Sequence, residues 1–88
     1  MIPRKAKRET RVCVREKADV ANLQGNRFAG EVINVSAKGL CLRSAERLSP
    51  GEIVRLRVQG YGDFDAQVRW AHTPTAGLIF LERGPSLA

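Results

Sequence analysis

Ile33-Asn34-Val35-Ser36-Ala37-Lys38-Gly39-Leu40-Cys41-Leu42 is the stretch that decides how this chain folds. Ile33 and Val35 alternate with Asn34 and Ser36, and Leu40 and Leu42 alternate with Cys41 and Arg43. Each half has the period of two that a β-strand with one buried face requires. Ala37-Lys38-Gly39 between them is a turn, and Gly39 eases it by accepting backbone angles that a side chain obstructs. In Asn34-x-Ser36-x-x-Gly39 the one-residue gap places the Asn34 amide and the Ser36 hydroxyl on one outward face, with Ile33 and Val35 anchoring inward. On these six residues alone, a hairpin whose polar side chains merely satisfy the backbone is the simpler account.

The same period extends in both directions. Val12 and Val14 alternate with Arg11, Cys13 and Arg15. Val54, Leu56 and Val58 oppose Arg55 and Arg57, then Phe64, Ala66, Val68 and Trp70 oppose Asp63, Asp65, Gln67 and Arg69, and Leu78 and Phe80 finish the set. Turn residues separate the runs at Gln24-Gly25-Asn26, Ser49-Pro50-Gly51, Gly60-Tyr61-Gly62 and Thr73-Pro74-Thr75-Ala76-Gly77. Six short strands with tight turns and no 3.6-residue period imply an all-β fold, a six-stranded antiparallel barrel without substantial helix. Closure also removes the open sheet edges that invite aggregation. The expected division is a flexible basic arm over 1–10, one barrel over 11–83 and a short tail over 84–88. Trp70, in phase with Phe64, Ala66 and Val68, reads as core. His72 reads as a loop residue, and Arg55, Arg57 and Arg69 as a solvated charged face. Asp63 and Asp65 share a strand face without a third ligand nearby, so no metal site is expected there.

A chain of 88 residues is one domain at most, too short for a cofactor domain plus a substrate domain. Its net charge is +6, and the placement of that charge says more than its size. Arg4, Lys5, Lys7, Arg8, Arg11, Arg15 and Lys17 face only Glu9 and Glu16 in the first seventeen residues, while the remainder is nearly balanced. Cys13 and Cys41 fit neither a zinc spacing nor a redox pair, and two reduced thiols are expected. The basic start leads into charged residues rather than an apolar run, so neither a signal peptide nor a membrane span is expected, and the cytoplasm is the expected compartment. No nucleophile–base pairing, metal spacing or glycine-rich phosphate loop is visible, which argues against an enzyme and against a bound cofactor.

The arm supplies a complement to the polar hairpin. An arginine fork takes a phosphate or a guanine edge in bidentate fashion and stacks on a purine, whereas lysine does only the charge part. Several arginines on a flexible segment could wrap an anionic guanine-bearing ligand, ordering as they bind. Taken alone, such a run more commonly means a solvated tail or a nonspecific nucleic-acid arm.

Together the two elements resemble the PilZ family, whose hallmark is an RxxxR arm followed by [DN]xSxxG on a six-stranded barrel that binds cyclic di-GMP. Ala66-Gln67-Val68-Arg69-Trp70 and Gly77-Leu78-Ile79-Phe80-Leu81 look like the family's last two strands, and Leu48-Ser49-Pro50-Gly51-Glu52 like its turn before the fourth. Arg4-Lys5-Ala6-Lys7-Arg8 satisfies RxxxR literally. In the family the second arginine usually lies directly before the first strand, which gives Lys7-Arg8-Glu9-Thr10-Arg11, with Lys7 in the first arginine's place, and this is the favoured register. The resemblance implies a noncatalytic cyclic di-GMP receptor in which Asn34, Ser36 and Gly39 face the ligand while Arg4, Lys7, Arg8 and Arg11 clamp it. It further implies a downstream protein partner and a role in motility, biofilm polysaccharide or the cell cycle. One alternative is an adaptor that has lost the ligand and acts by protein contact, which Lys7 favours. The other is a nucleic-acid-binding barrel, disfavoured because most of the aromatics Phe28, Tyr61, Phe64, Trp70 and Phe80 fall on apparent core or turn positions.

Overall fold

In the computed structural model the described residues are 12–82, and every element among them is a strand. The order is β1 (Val12–Asn22), β2 (Arg27–Val35), β3 (Gly39–Arg43), β4 (Ile53–Val58), β5 (Gly62–His72) and β6 (Thr75–Phe80). They close into an antiparallel barrel in the ring order β1-β2-β3-β6-β5-β4. The arm expected over 1–10, with Arg11, and the tail expected over 84–88 lie outside the described residues.

Alternation builds the interior. Val20, Val32, Leu42, Leu56 and Val68 point inward from five different strands and are fully buried, each contributing about 1.5–3 kcal/mol of transfer free energy. Phe64 and Phe80 meet at the wall between β5 and β6, ring centroids 4.9 Å apart. In the ring, β3 and β4 lie on opposite walls, so the segment joining them crosses a barrel end, and Leu48 drops from it into the core. Ser49 and Glu52 brace that crossing: the Ser49 amide donates to Glu52 Oε1 at 3.0 Å, and the Glu52 amide to the Ser49 carbonyl at 3.0 Å.

The turns follow their chemistry. Asn22 Oδ1 accepts from the amides of Gln24 and Asn26, both at 3.0 Å, closing the β1–β2 hairpin, and Gly25 adopts a φ of 91° that side chains avoid. The last turn is shorter than the sequence suggests. Thr75, Ala76 and Gly77 already pair with Arg43, Leu42 and Cys41 of β3, leaving Thr73-Pro74 as the reversal.

β-Bulges correct the simple alternation. β2 carries an extra residue against β3, because Val32 pairs with Leu42 and Asn34 with Cys41, leaving Ile33 unopposed. The inward residues are therefore Val32 and Val35, while Ile33, expected inward, is only half-buried.

Candidate functional site

One cross-strand row runs around five of the six strands. Cys13 of β1 pairs with Asn34 of β2, Asn34 with Cys41 of β3, Cys41 with Gly77 of β6, and Gly77 with Trp70 of β5. Directly paired residues share a sheet face, so the row maps the outer wall. A groove of about 390 Å³ lies along it, lined among others by Asn34, Cys41, Arg69, Trp70, Gly77 and Ile79. The small Cys41 lies in the middle of it, and at one end the indole of Trp70 covers Gly77.

Trp70 is 42 % exposed and is not the core residue that its phase suggested. The cause is a second bulge: Val68 pairs with Leu78 and Trp70 with Gly77, so Arg69 is an extra residue in β5. That residue inverts the phase, turning Trp70 outward and the half-buried Ala71 against the core. The indole lies on the Gly77 backbone, where a Cβ would collide with its Nε1 and Cε2 atoms. A glycine is therefore needed at position 77 for the ring to lie flat. The ring of His72, expected in a loop but placed at the end of β5, stands 5.8 Å from the indole at an interplanar angle of 42°.

Ser36 does not join Asn34 on an outward shelf. It is 0 % exposed, and its hydroxyl accepts from the amides of Lys38 and Gly39 and donates to the Gly39 carbonyl, each at 3.3 Å. The Ser36 amide also donates to the Gly39 carbonyl at 2.8 Å. A serine three residues before the glycine is thus the clasp of the β2–β3 turn. Gly39 serves by close approach rather than by unusual backbone angles, since a Cβ there would strike the Leu78 carbonyl oxygen of β6. Asn34 alone of this motif stands half-buried on the outer wall, in line with the groove.

Arg4, Lys7, Arg8 and Arg11 lie outside the described residues. The first described residue, Val12, pairs with Val35, which lies between Asn34 and Ser36. Cys13 and Cys41 flank Asn34 two strand spacings apart, roughly 9–10 Å between Cα atoms, beyond disulfide reach.

A larger cavity, about 460 Å³, lies elsewhere on the wall, against Asp19, Ala21, Arg27, Arg55, Arg57 and Asp63. Two of its three arginines are engaged. Arg55 donates through Nε and Nη2 to both carboxylate oxygens of Asp65, at 3.0 and 3.3 Å, and Arg57 Nε to Asp63 at 3.2 Å. Sequence reasoning identified this as a charged solvent face, and the cross-strand register explains why: Arg55 pairs with Asp65 and Arg57 with Asp63.

Among the described residues no helix is long and apolar enough to cross a membrane. No curated protein matches the chain. Among solved structures, the PilZ domain of CeSA from a cellulose synthesizing bacterium superposes with a TM-score of 0.71, at 20% identity over 83% of this chain and 81% of that one, a likeness of fold. A profile of the PilZ domain matches residues 3–85, running from the basic arm through the Asn34–Gly39 motif and past the last strand, and on that match the chain belongs to the PilZ domain family.

Proposed function

We propose that this chain is a noncatalytic receptor for cyclic di-GMP, bound along the groove between Asn34 and Trp70. PilZ domains are in general cyclic di-GMP-binding modules, and the observation that carries the reading to these residues is the outer row Asn34–Cys41–Gly77–Trp70. It offers an amide, the small side chain of Cys41 and an exposed indole seated on Gly77 in one line.

Each part has a physical role in this reading. Trp70 presents a flat apolar face to a guanine, worth about 1–3 kcal/mol for a stacked base. Asn34 supplies both a donor and an acceptor for a base edge or the sugar-phosphate backbone. Arg8 and Arg11, with Lys7 and Arg4, neutralise the two phosphates by charge-assisted hydrogen bonds. Ser36 and Gly39 act through the turn that they hold. The arm closing over the ligand changes the surface offered to a downstream protein, which is an order–disorder output. A cytoplasmic position and control of motility or biofilm polysaccharide accord with such a receptor.

The test is a calorimetric titration with cyclic di-GMP, with GTP as the control. Saturable binding of cyclic di-GMP alone is expected, and Arg8→Ala and Arg11→Ala should each weaken it by about 1.5–3 kcal/mol while the barrel stays folded. Absence of heat and of competition would sink the receptor reading and leave the ligand-free adaptor, which Lys7 in the first arginine's place favours.

A further inference from the structure

We infer that Arg69 is a ligand anchor, holding phosphate from the barrel wall across the groove from Asn34; the inference rests on the cyclic di-GMP reading and extends it to a residue outside the arm and the Asn34–Gly39 motif. Three observations converge on it. Arg69 is the extra residue of the β5 bulge, the kind of irregularity that re-aims a side chain beside a site. It is exposed and lines the same groove as Asn34, Trp70 and Gly77. Its side chain makes no ion pair or hydrogen bond among the described residues, which is also true of Arg27, Arg43 and Arg47, whereas Arg15, Arg55 and Arg57 pair with Glu31, Asp65 and Asp63; of these four unpaired arginines Arg69 alone lines the groove.

Its lack of a partner follows from the register. The residues facing this part of β5 from β6 are Gly77 and Leu78, which carry no charge. On the other edge, Val68 exchanges backbone hydrogen bonds with Gly51 and Glu52, and the Glu52 carboxylate is turned to the Ser49 amide at 3.0 Å. Among the described residues no carboxylate is therefore paired with Arg69 as Asp65 is with Arg55. An uncompensated guanidinium beside an exposed indole suits a ligand with a phosphodiester next to a purine, because the fork takes two phosphate oxygens while the ring takes the base. Asn34 and Trp70 stand three strand spacings apart, about 14 Å, so an anchor at each end holds an extended dinucleotide rather than a single phosphate. Arg69 also supplies a planar fork to a chain whose arm carries Lys7 where the family has its first arginine.

The experiment titrates cyclic di-GMP into the full chain, Arg69→Ala and Arg69→Lys at two salt concentrations, following both heat and the emission of Trp70, the chain's one tryptophan. Arg69→Ala should weaken binding by at least about tenfold and flatten its salt dependence, with the unligated emission and the unfolding midpoint unchanged. Arg69→Lys should restore the salt dependence but only part of the affinity. If the wild type binds and Arg69→Ala binds equally well with the same salt dependence, Arg69 is no anchor and the receptor reading stands. Weakened binding accompanied by a shifted unligated emission would overturn direct contact and assign the effect to the position of Trp70. No binding by the wild type would overturn both readings at once.

Discussion

The barrel presents two outer walls built from the same kinds of strand, and they differ in what surrounds their arginines. On the wall formed by β1, β4 and the start of β5, Arg55 and Arg57 sit opposite Asp65 and Asp63 and form exposed ion pairs with them. On the wall formed by β2, β3, β6 and the end of β5, Arg69 has no carboxylate opposite it among the described residues, and the groove beside it is lined by uncharged residues. The first wall holds the larger cavity, about 460 Å³ against 390 Å³, so volume and free charge favour different places. In the receptor reading proposed above, a wall arginine whose cross-strand partner is a carboxylate stabilises the barrel, and Arg69, which faces none, is left for a ligand.

The largest effect expected from probing this contrast comes from the backbone under the proposed binding wall. Gly39→Ala drives a methyl group into the Leu78 carbonyl and cannot be relieved by rotating a side chain, so β3 and β6 must part. A loss of about 1–3 kcal/mol in urea unfolding is expected. Stability equal to that of the wild type would mean that the β3–β6 contact is looser than drawn and that the groove floor is not rigid.

The next effect, about 1–3 kcal/mol, is on binding rather than folding. Trp70→Ala should weaken cyclic di-GMP by that amount in the same titration, since it removes the stacking face, with little change in the unfolding midpoint because the indole is on the surface. Gly77→Ala should reproduce much of this loss by lifting the ring off the β6 backbone, accompanied by a red-shifted emission. If Gly77→Ala shifts the emission but leaves affinity intact, the indole is not a ligand platform and the row has lost one wall.

These residues also mark where the sequence was legible and where it was not. Alternation and turn chemistry located all six strands, because each buried face needs an apolar residue at every second position and each reversal needs Gly, Asn or Pro. The Asn34–Gly39 spacing identified the β2–β3 turn, but period-two reasoning put Ser36 outside when the turn draws its hydroxyl inward. The bulges were missed for a related reason. One inserted residue changes neither composition nor strand propensity, yet it exchanges inside for outside for everything after it. A signal existed: Val32-Ile33 and Trp70-Ala71 are adjacent apolar pairs within otherwise alternating runs, and each pair adjoins or includes an inserted residue. Reading those pairs as phase breaks would have moved Trp70 from the core to the groove.

The smallest effect is expected on the other wall, and it is the sharpest control. Arg57 and Asp63 are joined by a single contact of 3.2 Å, with their side chains 74% and 48% exposed, so water and salt screen most of the attraction. Arg57→Ala should cost no more than about 0.5 kcal/mol in urea unfolding and leave the cyclic di-GMP titration unchanged. The result to watch is affinity. If Arg57→Ala weakens binding while Arg69→Ala does not, the ligand occupies the larger cavity and has displaced Asp63 from its arginine. The wall whose charges are already paired would then be the one that binds. Unchanged affinity in Arg57→Ala beside a tenfold loss in Arg69→Ala would show that, on this barrel, an arginine's function is set by whether the next strand offers it a carboxylate.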